Sequence, residues 1–326
     1  MTLTRADISR TAAEEWFASR CYRHDRFADV TALADRKRRL GLSVSLVLPC
    51  REVADTIGPV LEEVEALRRQ APIVDQVAVV DAGSRDGTAD IARRRGAEVH
   101  DESDLLPEMG PVLGKGDAMW RALSIARGDI VVYADADSAS FGAHFIYGML
   151  GPLLHDQEVR FVKATYHRPF TTPDGTVVDD AGRVTELTAK PLLAIFYPEL
   201  AGFGQPLAGE VAARRDLLCS IPFLTGYAVE MGMMIDVLRR VGLAGMAQVD
   251  LGSRRNRSQR LLALNSMSYA VARALLTRAG QAVGAESYLH AANQPTGVRL
   301  ERRAVSMVER PPMNSENYRD SENQCL

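Results

Sequence analysis

Apolar positions along the chain repeat at two periods, and segments of the two kinds alternate. "LSVSLVLP" (42–49) is a β-branched run that predicts a strand stopped by Pro49. "DTIGPVLEEVEALRRQ" (55–70) spaces its apolar residues as a helix does. "QVAVVD" (76–81) predicts a strand ending in Asp81 and a Gly/Ser/Asp turn, and "TADIARRRG" a helix closed by Gly96. "AEVHDE" predicts a strand, "KGDAMWRALSIARG" (115–128) a helix closed by glycine, and "DIVVYADAD" the next strand. This alternation with short links is the pattern of an α/β fold, a mostly parallel sheet covered by helices on both faces. Ligands of such sheets bind beyond the carboxyl ends of the strands, which here carry Pro49-Cys50-Arg51-Glu52, Asp81-Ala82-Gly83-Ser84 and Asp135-Ala136-Asp137.

The second half is less regular. "RFVKATYHRP" (160–169) and "MAQVDLGS" (246–253) predict strands, and "TTPDGTVVDDAGR" (171–183) a loop or hairpin. Residues 184–200, 226–242 and 261–280 carry helical spacing, the first broken at Pro191 and the second capped by Gly242. Residues 206–223 read as a turn followed by a helix. Residues 1–40 are charged and helical or irregular, and 314–326, with their Asn, Ser and Glu, are expected to form a loose tail.

Composition excludes several partners. With a net charge of −3 the chain has no global basic field for nucleic acid or an anionic membrane, so an anionic substrate needs a local cluster. No run approaches the ~20 apolar residues of a membrane span. Cys21, Cys50, Cys219 and Cys325 are scattered without metal-type spacing, as in reduced intracellular proteins, and the polar N-terminus is unlike a secretory signal. The expectation is a cytoplasmic protein.

"VVYADADSAS" (131–140) is the sharpest chemical signal. In an extended strand Asp135 and Asp137 share one side, and two like charges there need a positive partner. A divalent cation between them is one reading; a polar turn after a strand is the other. Familiar nucleotide loops are missing. No GxGxxG follows the first strand, and "GPVLGKGD" (110–117) has one residue too few for a P-loop, with Gly116 where Ser or Thr should hold the metal. Lys115, between two glycines at a helix start, can still meet an anion.

In order, "SLVLPCRE", "VVDAGSRDGTADIA", "GKGDAMWRAL" and "DIVVYADADS" resemble the landmarks of GT-A fold glycosyltransferases. "VKATYHRPF", "GRVTELTAKPLL", "GQPLAGEVAARRDLL", "GYAVEMG" and "AQVDLGSRRNR" resemble the glucosyl-3-phosphoglycerate synthase family and its mannosyl relative, over residues 40–313. The resemblance implies retaining transfer of a hexose from a nucleotide sugar (UDP-glucose, GDP-glucose or GDP-mannose) to the 2-hydroxyl of 3-phosphoglycerate, with Mg²⁺ or Mn²⁺, in a homodimer making compatible-solute precursors. It implies an N-terminal extension (1–40), a nucleotide-sugar half (41–150), a mixed α+β acceptor half (151–313) and the tail. Pro49, Cys50, Arg51, Glu52 and Asp81 then match the nucleoside segment, and Ser84 and Lys115 donor contacts. Asp135, Ala136 and Asp137 match the metal motif. Gly182, Arg183 and Thr185 match the acceptor loop, with Arg254 and Ser258 in a late loop. Tyr227 and Glu230 match the sugar-facing helix start, and the implied catalytic groups are Asp137, Glu230 and Lys115. The family's histidine metal ligand is replaced by Asn256, a harder and weaker donor, which implies a looser metal site and acceptance of both sugars. Three rival readings are a family 2-like transferase acting on lipid or polysaccharide, a nucleotidyltransferase, and a binding module without turnover.

Overall fold

The structure, a computed structural model, describes residues 5–171, 177–178, 182–254, 264–284, 286–294 and 297–315. In chain order the elements begin with α1 (Arg5–Arg20), β1 (Cys21–Arg23), α2 (Val30–Arg39), β2 (Val44–Cys50), α3 (Ala54–Gln70), β3 (Gln76–Asp81), α4 (Thr88–Arg94) and β4 (Glu98–Asp101). There follow α5 (Lys115–Ala122), β5 (Ile130–Tyr133), α6 (His144–His155), β6 (Phe161–His167), β7 (Phe170–Thr171), β8 (Val177–Val178), α7 (Lys190–Phe196), β9 (Val211–Arg214) and α8 (Arg215–Cys219). The last are β10 (Phe223–Leu224), α9 (Val229–Val241), β11 (Met246–Ser253), α10 (Leu264–Arg278), β12 (Ser287–Gln294), β13 (Gly297–Ala304) and β14 (Glu309–Arg310).

One sheet organises the molecule, in the order β1-β11-β6-β9-β5-β2-β3-β4. All neighbours pair in parallel except β9, which runs against both β5 and β6. The sheet is buried on both faces. Alternation along each strand sends Val44, Leu46, Leu48, Ile130 and Val132 into one core and Val47, Val131 and Tyr133 into the other. Helix α3 covers the first face with Ile57, Val60, Leu61, Val64 and Leu67, each contributing ~1.5–3 kcal/mol when fully buried. Helices α5, α9 and α10 supply Met119, Trp120, Met231, Met234, Val271 and Leu275 to the second core. Trp16 ties α1 to the sheet by donating its indole N–H to the Met246 carbonyl at 2.7 Å. No helix among the described residues is long and apolar enough to cross a membrane.

Four local expectations are corrected. Pro49 does not stop its strand; β2 runs on to Cys50. The ladder with β5 ends at Val47↔Tyr133, so the N–H that proline lacks falls where that neighbour has already left. Helix α5 ends at Ala122, and Gly128 is no helix cap: a Cβ there would collide with the Ser45 amide and lie 2.7 Å from the Val44 carbonyl carbon. Strand β5 ends at Tyr133, so Asp135 and Asp137 lie in the loop beyond it. Residues 206–223 contain β9, which four residues of a small-residue run, "VAAR", do not announce. Pro191 does mark a change of winding, from a π-helical turn at Thr185–Ala189 to α7.

The segment around β14 closes onto the start of α5. Strand β14 pairs with β10. Arg310 donates from Nε and Nη2 to the two Asp117 carboxylate oxygens, both at 2.8 Å, and Trp120 Nε1 donates to the Pro311 carbonyl at 2.8 Å. Gly116, in the first turn of α5, has no room for a side chain: a Cβ would collide with the Leu224 carbonyl and lie 2.8 Å from Val229 Cβ. Gly116→Ala should therefore destabilise the protein by ~1–3 kcal/mol or more, the cost of overpacking a filled interior. A denaturant midpoint unchanged from wild type would contradict that packing.

Candidate active site

All the parallel strands end on one rim, and β9, running the other way, begins there. Two strand ends, those of β2 and β3, cooperate at one side. Ser84 Oγ donates to Asp81 Oδ1 at 2.6 Å and accepts from the Glu52 amide at 2.8 Å. Glu52 Oε1 in turn accepts from the Arg85 amide at 2.8 Å. Glu52 holds a left-handed backbone, φ 52°, at the turn out of β2. The loops carrying Pro49, Cys50, Arg51, Glu52, Asp81 and Ser84 are thus cross-tied into one shelf. The Cys50 thiol is buried against Asp81 at 3.5 Å; burial and then that carboxylate push it well above the usual thiol range, so it stays protonated.

Next to the shelf stands the charged cluster. Lys115 Nζ, at the start of α5, meets Asp135 Oδ1 at 2.8 Å and Glu230 Oε1, in the first turn of α9, at 3.0 Å. Arg254, directly after β11, donates from Nη2 to Asp135 Oδ2 at 2.9 Å and Asp137 Oδ1 at 3.1 Å. The positive partner between the two aspartates is therefore a guanidinium. Burial alone would raise the Asp135 pKa, but Lys115 and Arg254 outweigh it and hold the carboxyl far below the usual range. Burial would likewise lower the Lys115 pKa, and Asp135 and Glu230 more than reverse this. Asp135 spends both oxygens on these cations, so within the pair matched to the metal motif it is the member already occupied. Asp137 is 58% exposed and lends Arg254 one oxygen.

Arg254, expected to face the acceptor, is 1% exposed and occupied by carboxylates. Thr185 is also buried, at the start of the π-helical turn. Its side chain packs beside Gly182, which lines a cavity of about 470 Å³ on the same rim together with Arg23, Tyr166, His167, Arg168 and Lys190. Arg183 precedes that turn, and Tyr227 stands exposed just before Glu230. Ala136 is buried, its carbonyl accepting from Thr56 Oγ1 at 2.7 Å. Asn256 and Ser258 lie outside the described residues.

Four residues join the site that the sequence did not mark. Glu210, just before β9, is 1% exposed and pairs with Arg254. Tyr166 donates its hydroxyl to Glu210 Oε2 at 3.1 Å and accepts from Arg254 Nη1 at 2.8 Å. Lys163 is fully buried and donates to the Ala208 carbonyl at 2.6 Å. Burial pushes its ammonium down to about 8 against the opposing pull of Glu230. A Cβ on Gly209 would overlap Asp135 Oδ1 and lie within 2.5 Å of Lys115 Nζ, so only glycine leaves room for that ion pair. The available signal was a charged residue inside an apolar run, "AGEVAA", which strands bury only for a reason.

Among the described residues no group of three or more His, Cys, Asp and Glu converges as a metal site. The donor set present, Asp137 with Asp135 behind it, suits a hard cation that keeps waters and takes other ligands from a substrate diphosphate. A family model, glycosyl transferase family 2, matches residues 45–179. The glucosyl-3-phosphoglycerate synthase of Mycolicibacterium paratuberculosis is 41% identical over 285 residues, 85% of each chain. That of Petrotoga mobilis is 38% identical over 260 residues, 79% of this chain and 80% of the relative. The crystal structure of mannosyl-3-phosphoglycerate synthase from Rubrobacter xylanophilus superposes with a TM-score of 0.85 at 54% identity, covering 93% of this chain and 97% of that one. Glucosyl-3-phosphoglycerate synthase from Mycobacterium tuberculosis, in complex with Mn²⁺, UDP and glucosyl-3-phosphoglycerate, superposes at 0.76 with 38% identity over 86% and 93% of the two chains. With a fold, a rim of charged groups and full-length relatives in agreement, this chain belongs to the glucosyl-3-phosphoglycerate synthase family of GT-A glycosyltransferases, in which the mannosyl enzyme is a neighbour.

Proposed function

We propose that the protein transfers a hexosyl group, glucosyl or mannosyl, from a nucleoside diphosphate sugar to the 2-hydroxyl of 3-phosphoglycerate with retention at the anomeric carbon. The carrying observation is Lys115 bridging Asp135 and Glu230 beside the exposed Asp137. Residues 41–150 hold the nucleotide sugar on the Pro49–Glu52, Asp81 and Ser84 shelf, and residues 151–313 hold the acceptor. The enzyme acts in the cytoplasm as a homodimer.

Asp137 would hold a divalent cation, Mg²⁺ or Mn²⁺, which would supply Lewis-acid stabilisation of a leaving diphosphate. Lys115 adds a fixed positive charge where negative charge develops, and being already paired it needs no reorganisation. Asp135 keeps Lys115 and Arg254 in place. Glu230, in the first turn of α9, orients the sugar. Asp135 and Glu230 are both ion-paired to Lys115, so neither is a free nucleophile, which supports front-face attack within an ion pair. The acceptor carries a carboxylate and a phosphate, and Arg183 offers a bidentate partner for one of them. Arg23, His167 and Arg168 around the Gly182 cavity support an anionic acceptor there, while Lys190 in the same lining is paired with Glu186 at 2.6 Å.

Turnover with 3-phosphoglycerate and, in turn, UDP-glucose, GDP-glucose and GDP-mannose tests the reading. At least one pair should yield the hexosyl-3-phosphoglycerate, and product from a lipid or polysaccharide acceptor alone would overturn it. Chelation should abolish transfer and Mg²⁺ or Mn²⁺ restore it, and Asp137→Ala should lower kcat by about 10²–10³-fold, the effect of losing a charge-stabilising group. Full rate in excess chelator would refute metal dependence. Arg183→Ala should raise the KM for 3-phosphoglycerate far more than the donor KM, since it removes a charge-assisted bond of ~1.5–3 kcal/mol. Equal effects on both substrates would remove Arg183 from the acceptor site.

A further inference from the structure

Glu210 presents a physical puzzle. A carboxylate buried to 1% exposure is costly unless fully paired. Its Oε2 accepts from Arg254 Nη1 at 2.8 Å and from the Tyr166 hydroxyl at 3.1 Å. Its Oε1 lies 2.6 Å from the same Arg254 nitrogen but has no aligned hydrogen-bond donor among the described residues. Burial raises its pKa, with Arg254 opposing and Asp135 adding to the rise. A side chain kept in this position at such a cost has a consequence beyond packing, and the geometry identifies it.

Arg254 divides its two terminal nitrogens. Nη1 serves Glu210 and Tyr166, while Nη2 serves Asp135 and Asp137. Both supports are rigid. Glu210 enters the sheet between β5 and β6, its carbonyl accepting from the Ala164 amide at 3.2 Å, and the Arg254 amide donates to the His167 carbonyl at 2.8 Å. We propose that Glu210 is a positioning residue for the aspartate pair: by holding Nη1 of Arg254 it leaves only Nη2 for the aspartates, so that the guanidinium takes a single oxygen of the exposed Asp137 instead of pairing with it through both nitrogens, and Asp137 keeps room for a divalent cation. Charge balance agrees. The cluster sets four carboxylates (Asp135, Asp137, Glu210, Glu230) against three cations (Lys115, Lys163, Arg254), leaving a net negative charge that attracts a cation. Removing the Glu210 charge makes the cluster neutral and turns the whole Arg254 charge on Asp135 and Asp137. Glu210 touches no reacting atom in this arrangement; it acts through Arg254.

The inference rests on the metal-dependent reading above, and the test separates the two. Mn²⁺ alone is titrated into donor-free protein and followed by loss of the free-ion electron paramagnetic resonance signal. Glu210→Gln keeps the shape and drops the charge, and should raise the Mn²⁺ dissociation constant about tenfold or more. In turnover its kcat should recover at saturating Mn²⁺, because the defect lies in binding. The double variant Glu210→Gln/Arg254→Met leaves no unpaired buried ion and no guanidinium on Asp137, so it should bind Mn²⁺ at least as tightly as wild type. If the single variant fails to fold, the double variant carries the test alone. A Glu210→Gln dissociation constant equal to wild type, or a double variant that binds Mn²⁺ more weakly than wild type, overturns the role of Glu210 and leaves the functional reading standing. Wild type that binds Mn²⁺ neither alone nor with UDP present overturns both.

Discussion

A single guanidinium surrounded by carboxylates sets the terms for the rest of the site. Arg254 is nearly inaccessible to solvent, yet it touches Asp135, Asp137 and Glu210 at once. Removing one member of such a group strands an unpaired charge in a poorly polarisable interior. The cluster therefore holds its members in register: Asp135 fixes Lys115, Lys115 fixes Glu230, and the start of α9 follows. Each charge of the cluster is already held by another, which is what preorganisation means in physical terms.

The sheet explains why these residues meet. Strands β2, β3, β5, β6 and β11 deliver their loops to one rim because they are parallel. Strand β9 runs the other way, so its beginning reaches that rim, and Gly209 and Glu210 arrive between Asp135 and Arg254. One antiparallel strand thus inserts a buried carboxylate and a glycine into a place that a wholly parallel sheet would reserve for a strand end. At the far end of the chain, Arg310 and Pro311 secure α5 through Asp117 and Trp120, so the last described residues brace the helix that presents Lys115.

Much of this was legible in the sequence where local patterning and tertiary fate agree. The run ending at Asp81, the strand that begins at Ile130, the helix over 54–70 and the strand over 246–253 follow from period and caps alone, whereas the end of the second of these at Tyr133 does not. The aspartate pair and Lys115 could be singled out because charge at a strand end or between glycines is conspicuous. The partner of the pair could not, because the contact between Asp135 and Arg254 spans 119 residues and no local period encodes it. Strand β9 escaped for a related reason: its alanines carry no β preference, and it is a strand because β5 and β6 flank it. Glu210 and Gly209 were hidden with it.

On the role proposed for Glu210, Asp137 alone leaves Arg254 for a cation, while Asp135 and Glu210 keep the guanidinium in place. A crystal structure with Mn²⁺ and the nucleoside diphosphate bound measures this directly. Asp137 should then be coordinated to the metal and parted from Arg254, with the Arg254 contacts to Glu210 and Asp135 intact. A metal bound with Asp137 still on Arg254, or with Arg254 released from Glu210, would contradict it.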